Sequence, residues 1–135
     1  MAETILVCDD EELIRWSLSE QLRTDGYNVV EAVNGRDCLE KLKAVAPALV
    51  FLDLKMPVLD GVGAVREIRA REAASGRRRT PVIALTANAM THQVAELLAA
   101  GMDFHVAKPI DAGQLFTAME AALELADMAA EPPAA

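Results

Sequence analysis

The chain has 135 residues, of which 53% are hydrophobic, and this is enough for one domain with a buried core. Its formal net charge of -8 disfavours direct nucleic-acid binding, because a phosphate backbone selects for clustered lysine and arginine. Cys8 and Cys38 do not indicate a disulfide framework, and the first apolar run is too short for a signal peptide or a membrane span, so we expect a soluble cytoplasmic protein.

The first part of the chain predicts two strands, each followed by a helix. Residues 5–8 predict a short apolar strand that ends on four consecutive acids, which suit a helix N-terminus because the macrodipole favours negative charge there. Residues 27–30 predict the second strand, and Asn34-Gly35 starts the second helix. Asp25-Gly26 and Pro47 are expected to end the two helices. The helical apolar positions are Ile14, Leu18 and Leu22 in the first helix, and Leu39, Leu42 and Val45 in the second.

A third apolar run, residues 49–53, carries Asp53 at its end and is followed by Pro57. Consecutive apolar residues before an acid are typical of a strand that is buried on both faces. In an open α/β sheet the ligand site lies beyond the carboxyl ends of the strands, so we expect Asp53 to project into that crevice. Taken alone, the stretch is equally consistent with an aspartate that only starts a turn.

The remainder predicts two more strands among three helices. Residues 75–80 form a polar loop whose three arginines are more typical of a solvated loop than of a phosphate site. Residues 81–85 predict the fourth strand, which delivers Thr86, and residues 104–107 predict the fifth, which delivers Lys108-Pro109. The helical positions are Val62, Val65 and Ile68 in the third helix, Val94, Leu97 and Leu98 before Gly101 in the fourth, and Leu115, Phe116, Met119 and Leu123 after a capping Asp111 in the fifth.

Strands and helices therefore alternate with short connections, which implies a parallel sheet with helices on both faces. We predict an α/β fold: a single flavodoxin-like (βα)5 doubly wound domain over residues 1–127, with a parallel five-stranded sheet in the order 2-1-3-4-5. Residues 128–135 are predicted to be a disordered Ala/Pro tail.

Polar side chains follow four of the predicted strands: Asp9-Asp10, Asp53, Thr86 and Lys108. Two carboxylates about 4 Å apart repel by roughly 4 kcal/mol at an effective dielectric near 20, so a cluster of them favours a bound cation. The donors are oxygens only, which indicates Mg²⁺ or Mn²⁺ rather than zinc. Three carboxylates, one divalent ion and one lysine sum to zero charge, and such a site can admit an anionic phosphoryl group.

In that setting Asp53 can act as a carboxylate nucleophile toward phosphorus. Lys108 and the metal would neutralise charge on the transferred group, and the Thr86 hydroxyl would donate a hydrogen bond to it. Each residue also has a plainer interpretation: Lys108 as a surface lysine, Thr86 as a strand end, and Asp9-Asp10 as a helix cap. Their joint placement at successive strand ends favours the functional interpretation.

From about residue 4 to residue 125 the chain resembles the receiver domain of two-component response regulators, the CheY-like superfamily. The resemblance rests on Ile5-Leu6-Val7-Cys8-Asp9-Asp10, on Leu52-Asp53-Leu54-Lys55-Met56-Pro57 with Asp60-Gly61, on Ala84-Leu85-Thr86-Ala87, and on Ala107-Lys108-Pro109. It implies a signalling receiver that catalyses only its own phosphorylation and dephosphorylation. Asp53 would accept a phosphoryl group from a phosphohistidine on a sensor histidine kinase or a histidine phosphotransfer protein, and a downstream protein would read the result without nucleic acid or membrane contact.

The same resemblance implies a role for each site residue. The implied metal ligands are Asp10 and Asp53 directly, Asp9 mainly through water, and the backbone carbonyl of Lys55. Lys108 would pair with the phosphoryl group, and the Lys108-Pro109 bond is expected to be cis, a form found in only about 5 to 6% of X-Pro bonds. Lys55 and Asn88 would flank the path of the attacking water.

Family behaviour also implies a conformational switch. Phosphorylation replaces the Asp53 carboxylate by a group that carries about -1.5 to -2 of charge and three acceptor oxygens, and Thr86 would move toward these oxygens. The space that Thr86 leaves would be taken by the side chain three residues before the lysine. This position is usually Tyr or Phe in the family and is His105 here, which makes the switch potentially sensitive to pH. A histidine that simply lies at the sheet edge is an open alternative.

Two partner surfaces follow from the resemblance. The kinase would dock along the first helix and the loop after the fifth strand, on Ile14, Arg15, Leu18, Pro109 and Ile110. Trp16 lies about 200° around the first helix from Ile14, so we expect it to be exposed and count it with this surface. The output face would include Met90, His92, Val94, His105 and Phe116.

Four alternatives remain open at this point. Residues 84–90 and 101–103 resemble receivers of hybrid histidine kinases, so the chain could be an excised receiver or an engineered combination. A haloacid dehalogenase phosphatase would need an aspartate where Lys55 stands. An FMN-binding flavodoxin would need a phosphate loop where the acids follow the first strand. A receiver-like scaffold that is never phosphorylated is disfavoured by the complete acid, threonine and lysine set.

Overall fold

The computed structural model describes residues 3–56, 58–86 and 91–130, with the backbone alone for 91–93 and 127–130. The strands are β1 (Thr4–Cys8), β2 (Asn28–Ala32), β3 (Leu49–Asp53), β4 (Val82–Thr86) and β5 (Phe104–Ala107). The helices are α1 (Glu12–Thr24), α2 (Gly35–Ala44), α3 (Gly61–Ser75), α4 (Thr91–Ala100) and α5 (Ala112–Ala130).

The five strands form one parallel sheet in the order β2-β1-β3-β4-β5, which confirms the predicted topology. Side chains of one strand alternate between two cores because successive residues point to opposite faces. Leu6, Val50 and Leu52 pack with α2, α3 and α4, whereas Val7 and Phe51 pack with α1 and α5. β3 and β4 are buried along their whole length, so the residues at their ends are held on rigid elements.

Several element ends differ from the sequence prediction by one or two residues. β2 covers residues 28–32 instead of 27–30, because its length is set by pairing with β1 from Thr4↔Asn28 to Cys8↔Ala32. β4 begins one residue after Pro81, which lacks a backbone N–H, and includes Thr86. α2 ends at Ala44, so Val45 lies outside it in an extended conformation.

Side-chain caps fix the starts of three helices. Asn34 accepts a hydrogen bond from the Asp37 N–H, Asp60 from Gly63, and Asp111 from Gln114, and the last confirms the predicted cap.

The buried stripe of α3 consists of Gly61, Ala64, Val65 and Ile68, whereas Val62, predicted for the core side, is only partly buried. A Cβ added at Gly61 would lie 2.5 Å from the carbonyl oxygen of Asp53, so the missing side chain lets the start of α3 press against the end of β3. The buried face of α3 therefore includes Gly61 and turns Val62 partly away from the core.

The helix α5 continues to Ala130, so the backbone of 128–130, predicted as part of a disordered tail, is helical, and residues 131–135 lie outside the described residues. None of the described helices is long and apolar enough to span a bilayer. The cytoplasmic location stays a prediction.

Candidate phosphoacceptor site

The polar residues predicted for the site lie at the carboxyl edge of the sheet. Asp53 and Thr86 end β3 and β4, while Asp9 and Lys108 directly follow β1 and β5. The strand order places β1, β3, β4 and β5 side by side, so residues far apart in sequence meet there. Backbone hydrogen bonds hold the edge together, among them the Lys108 N–H donating to the Thr86 carbonyl at 2.7 Å.

Three carboxylates converge at this edge. Asp9, Asp10 and Asp53 each present an oxygen, and these oxygens lie within 4.8 Å of one another. Asp9 is fully buried and Asp53 is 4% exposed, while Asp10 faces solvent. The convergence predicted from the strand ends is therefore confirmed. An all-oxygen set of this kind is the type that Mg²⁺ and Mn²⁺ prefer.

The Lys108 ammonium lies among these acids rather than in solvent. Its Nζ is 3.1 Å from Asp9 Oδ2, 3.3 Å from Asp53 Oδ1 and 3.3 Å from Glu11 Oε1. Its side chain is only 13% exposed, which excludes the surface-lysine interpretation. The Lys108-Pro109 bond is cis, as predicted.

Burial and neighbouring charges shift the pKa values of Asp53 and Lys108. Burial and the nearby negative charge of Asp9 raise the pKa of Asp53 to about 7, and Lys108 only partly opposes them. Burial by itself would lower the pKa of Lys108, but its contacts with Asp9, Asp53 and Glu11 raise that pKa above the usual value. The lysine therefore stays protonated, and one ammonium does not offset three carboxylates.

Thr86 is 2% exposed, and its Oγ1 has no hydrogen-bond partner within the described part of the chain. A buried hydroxyl without a partner costs free energy and calls for an explanation. Thr86 lines the same cleft, of about 660 Å³, as Asp53, Lys55, Lys108 and Glu11. The Thr86 hydroxyl is thus an available hydrogen-bond donor in the cleft that Asp53 lines.

Asp9 is held in place by its neighbours. Its Oδ1 accepts the Glu11 N–H at 2.9 Å, and its backbone carbonyl accepts Arg15 Nη1 at 2.8 Å. Arg15 also pairs with Glu31 at 3.1 Å, and its side chain is 14% exposed. Arg15 therefore fastens α1 to the ends of β1 and β2.

This placement corrects the predicted kinase surface. Leu18 is 2% exposed and packs in the core beneath α1, so the prediction that it contacts a partner is wrong. The guanidinium of Arg15 is already engaged within the domain, so it is not a free docking contact. Ile14 and Ile110 are partly buried and Pro109 is exposed, while Trp16 is 57% exposed as predicted. Leu13, which the sequence analysis missed, is 76% exposed on the same helix.

The predicted switch and output residues are described only in part. His105 lies half-buried on β5 beside Ala84, and Val94 and Phe116 are partly buried. Pro57, Ala87, Asn88 and Met90, as well as the side chain of His92, lie outside the described residues.

Sequence reasoning also missed Glu11, which contacts Lys108 across 97 positions of sequence. The run of four acids after β1 gave a signal, but it did not show which of them turns back toward the lysine.

Comparison with known proteins places this geometry in context. Residues 5–120 match the model of the response regulator receiver domain. The chain is 36% identical over 127 residues to the regulatory protein AtoC of Escherichia coli K12. The aligned region covers 94% of this chain and 26% of AtoC. The chain thus spans about a quarter of AtoC, and about half of other curated relatives.

Solved structures of receiver proteins are also similar to this chain. The receiver domain of the sensor histidine kinase PA1611 from Pseudomonas aeruginosa, solved with magnesium in its active site cleft, is 32% identical with a TM-score of 0.81, covering 92% of this chain and 99% of that one. The chemotaxis protein CheY4 of Vibrio cholerae is 27% identical with a TM-score of 0.82, covering 90% and 99%. The chain belongs to the response regulator receiver domain family.

Proposed function

We propose that this receiver is a phosphoacceptor in a two-component phosphorelay. Asp53 accepts a phosphoryl group from a phosphohistidine on a histidine kinase or a histidine phosphotransfer protein, and the domain then signals by contact with a downstream protein. The observation that carries the proposal is the Lys108 ammonium, which lies 3.1 Å from Asp9 and 3.3 Å from Asp53. The same cleft holds the Thr86 hydroxyl, which has no hydrogen-bond partner among the described residues.

The acid cluster fits a divalent cation. Three carboxylate oxygens within 4.8 Å and a single lysine leave net negative charge, and burial raises the pKa of Asp53, so additional positive charge would relieve the site. Asp9, Asp10, Asp53 and the backbone carbonyl of Lys55 would hold Mg²⁺ or Mn²⁺. When bound, the ion supplies positive charge that offsets the acids and the transferred group. The magnesium described for the related PA1611 receiver supports this assignment.

In the transfer step an Asp53 carboxylate oxygen forms a bond to phosphorus while the phosphorus–nitrogen bond of phosphohistidine breaks. The electron pair of that bond stays on the imidazole nitrogen. Lys108 is protonated and pairs with the oxygens of the transferred group, and Thr86 donates its hydroxyl to one of them. In a separate hydrolysis step, water attacks phosphorus and the bond to Asp53 breaks, which yields orthophosphate, the free carboxylate and a proton.

The response would start at Thr86. Its hydroxyl has no partner in the described residues, so a phosphoryl oxygen on Asp53 would give it one and draw it inward. His105 stands where the family usually has an aromatic residue, and we propose that it follows into the space that Thr86 leaves. The likeness to the receiver of a sensor kinase keeps open that this module belongs to a hybrid kinase or an engineered combination.

Acetyl phosphate tests the proposal. We expect intact-mass measurement to show one added phosphoryl group on wild-type protein incubated with acetyl phosphate and MgCl₂, and none on Asp53→Asn. Circular dichroism checks that the variant is folded, and excess EDTA should suppress the reaction in the wild type. A phosphorylated Asp53→Asn variant, or an unmodified folded wild type, would contradict the proposal.

A further inference from the structure

Glu11 belongs to none of the assigned site residues, yet its side chain reaches Lys108. The Glu11 Oε1 lies 3.3 Å from Lys108 Nζ, and the Glu11 side chain is 58% exposed. Its backbone is fixed, because its N–H donates to Asp9 Oδ1 at 2.9 Å and its carbonyl accepts the Arg15 N–H at 2.9 Å. The side chain can therefore leave Lys108 without any change in the backbone.

The ammonium group of a lysine has three N–H donors. In this structure three carboxylates lie within 3.3 Å of Lys108 Nζ, on Asp9, Asp53 and Glu11. Of these, Glu11 Oε1 accepts a hydrogen bond from the ammonium, while the Asp9 and Asp53 oxygens lie at ion-pair distance. A phosphoryl group on Asp53 that pairs with this ammonium would compete with these three carboxylates, and with the hydrogen bond from Lys108 to Glu11.

Burial decides which of the three carboxylates can release Lys108 most easily. The side chains of Asp9 and Asp53 are 0% and 6% exposed, so an unpaired carboxylate at either position would be costly. Glu11 is solvated, and water replaces its lysine partner at little cost.

We propose that Glu11 is a positioning residue that holds the Lys108 ammonium while Asp53 is unmodified and competes with the phosphoryl group for it. This inference rests on the proposed function, because it requires an Asp53 phosphoryl group that Lys108 contacts. Loss of the Glu11 carboxylate should free a Lys108 donor for the phosphoryl oxygens. The aspartyl phosphate should then form faster and persist longer.

Glu11→Gln and Glu12→Gln form a matched pair for the test. Both remove one negative charge at the start of α1, and Glu12 is exposed and makes no ion pair with Lys108. We expect Glu11→Gln to raise both the rate of phosphorylation by acetyl phosphate and the lifetime of the aspartyl phosphate after donor removal, each by about two- to fivefold, the range for an exposed ion pair. Glu12→Gln should stay near wild type, and neither variant should change the melting temperature by more than a degree or two.

Glu11→Asp separates contact from charge, because it keeps the charge but withdraws the carboxylate by one methylene. It should behave like Glu11→Gln if Glu11 acts by touching Lys108, and like wild type if only the field of the charge matters, which would overturn the inference. Equal kinetics for Glu11→Gln and Glu12→Gln, with wild type phosphorylated on Asp53, would also overturn it and leave the proposed function standing. Failure of wild type and Glu12→Gln alike to accept phosphate would overturn both.

Discussion

The proposed role of Asp53 and its buried environment favour opposite protonation states. In the proposed function Asp53 must be ionised to attack phosphorus, yet burial and the charge of Asp9 raise its pKa to about 7. The cost of ionisation falls on the folded state alone, because the unfolded carboxyl keeps an ordinary pKa. Ionisation of Asp53 thus destabilises the folded state, and a nearby cation would reduce this cost.

Asp53→Asn should therefore stabilise the protein in EDTA. Because the folded state binds more protons between pH 3.8 and about pH 7, the free energy of unfolding of the wild type falls as pH rises through that window. Asparagine does not titrate, so the variant lacks this decrease in stability. Its free energy of unfolding should match that of the wild type near pH 4 and exceed it by about 1 to 2 kcal/mol at pH 8. Thermal unfolding from pH 4 to pH 8 measures the difference, and equal stability at pH 8 would contradict the assigned pKa.

Ser19 is a second polar residue whose burial is energetically unfavourable. It is fully buried on α1, and its hydroxyl has no hydrogen-bond partner in the described part of the chain. Ser19→Ala should raise the free energy of unfolding by about 1 kcal/mol or more, because it removes an unsatisfied group and favours helix. Ser17→Ala, at an exposed position of the same helix, should give only the smaller helix-propensity gain. Urea unfolding compares the two, and a loss of stability in Ser19→Ala would show that the hydroxyl has a partner.

At the scale of elements, an arginine of α3 joins three segments at the amino end of the sheet. Arg69 donates to the carbonyls of Gly101 and Thr80 and pairs with Glu72 and Asp103 at 2.8 and 2.9 Å. These partners are 11% and 6% exposed in their side chains, so the network is largely desolvated. It fastens the end of α4 to α3 and β4.

One of the three loop arginines takes part in the same network. Arg79 pairs with Asp103 at 2.8 Å although its own side chain is 50% exposed. The loop is thus solvated at Arg79, as predicted, but the prediction did not include the ion pair of Arg79 with Asp103.

Arg69→Met should be strongly destabilising for this reason. The change leaves Asp103 and Glu72 short of a partner, and we expect a loss of about 2 to 4 kcal/mol, the usual consequence of breaking a buried pair. Arg71→Met on the same helix is the control, because Arg71 pairs with an exposed Glu67 and should lose under about 1 kcal/mol. Chemical denaturation gives both values, and similar losses would contradict the assigned burial effect.

At the scale of the whole molecule, the site is assembled from the ends of separate strands. A cation that binds this assembly cannot bind the unfolded chain in the same way, so binding stabilises the fold by mass action. Metal affinity and fold stability are therefore linked.

MgCl₂ should raise the melting temperature of the wild type beyond the effect of KCl at equal ionic strength. Asp10→Asn, which removes one exposed carboxylate of the cluster, should show a smaller magnesium-dependent shift. Glu12→Gln removes the same charge outside the cluster and should respond like wild type. Calorimetry over a magnesium series measures the shifts, and equal responses of wild type and Asp10→Asn would exclude Asp10 as a ligand.

The sequence by itself determined the strand and helix order, the parallel sheet and the identity of the residues at the strand ends. These features are local or periodic: apolar runs such as 49–53, the Asp111 cap, and the acids or lysine that directly follow a run. The match of four such pieces in order indicated the receiver family, and the convergence of Asp9, Asp10, Asp53 and Lys108 followed from strand order.

Only the tertiary structure decided which side chains meet. Leu18 lies on the predicted apolar stripe of the first helix, yet only the packing showed that it is too deeply buried to contact a partner. Glu11 touches Lys108 and Arg15 holds the Asp9 carbonyl, and no pattern in the sequence showed either contact. The physical reason is that such contacts depend on how loops turn and on which helix face packs against the sheet, and both are settled by the whole packed core rather than by neighbouring residues.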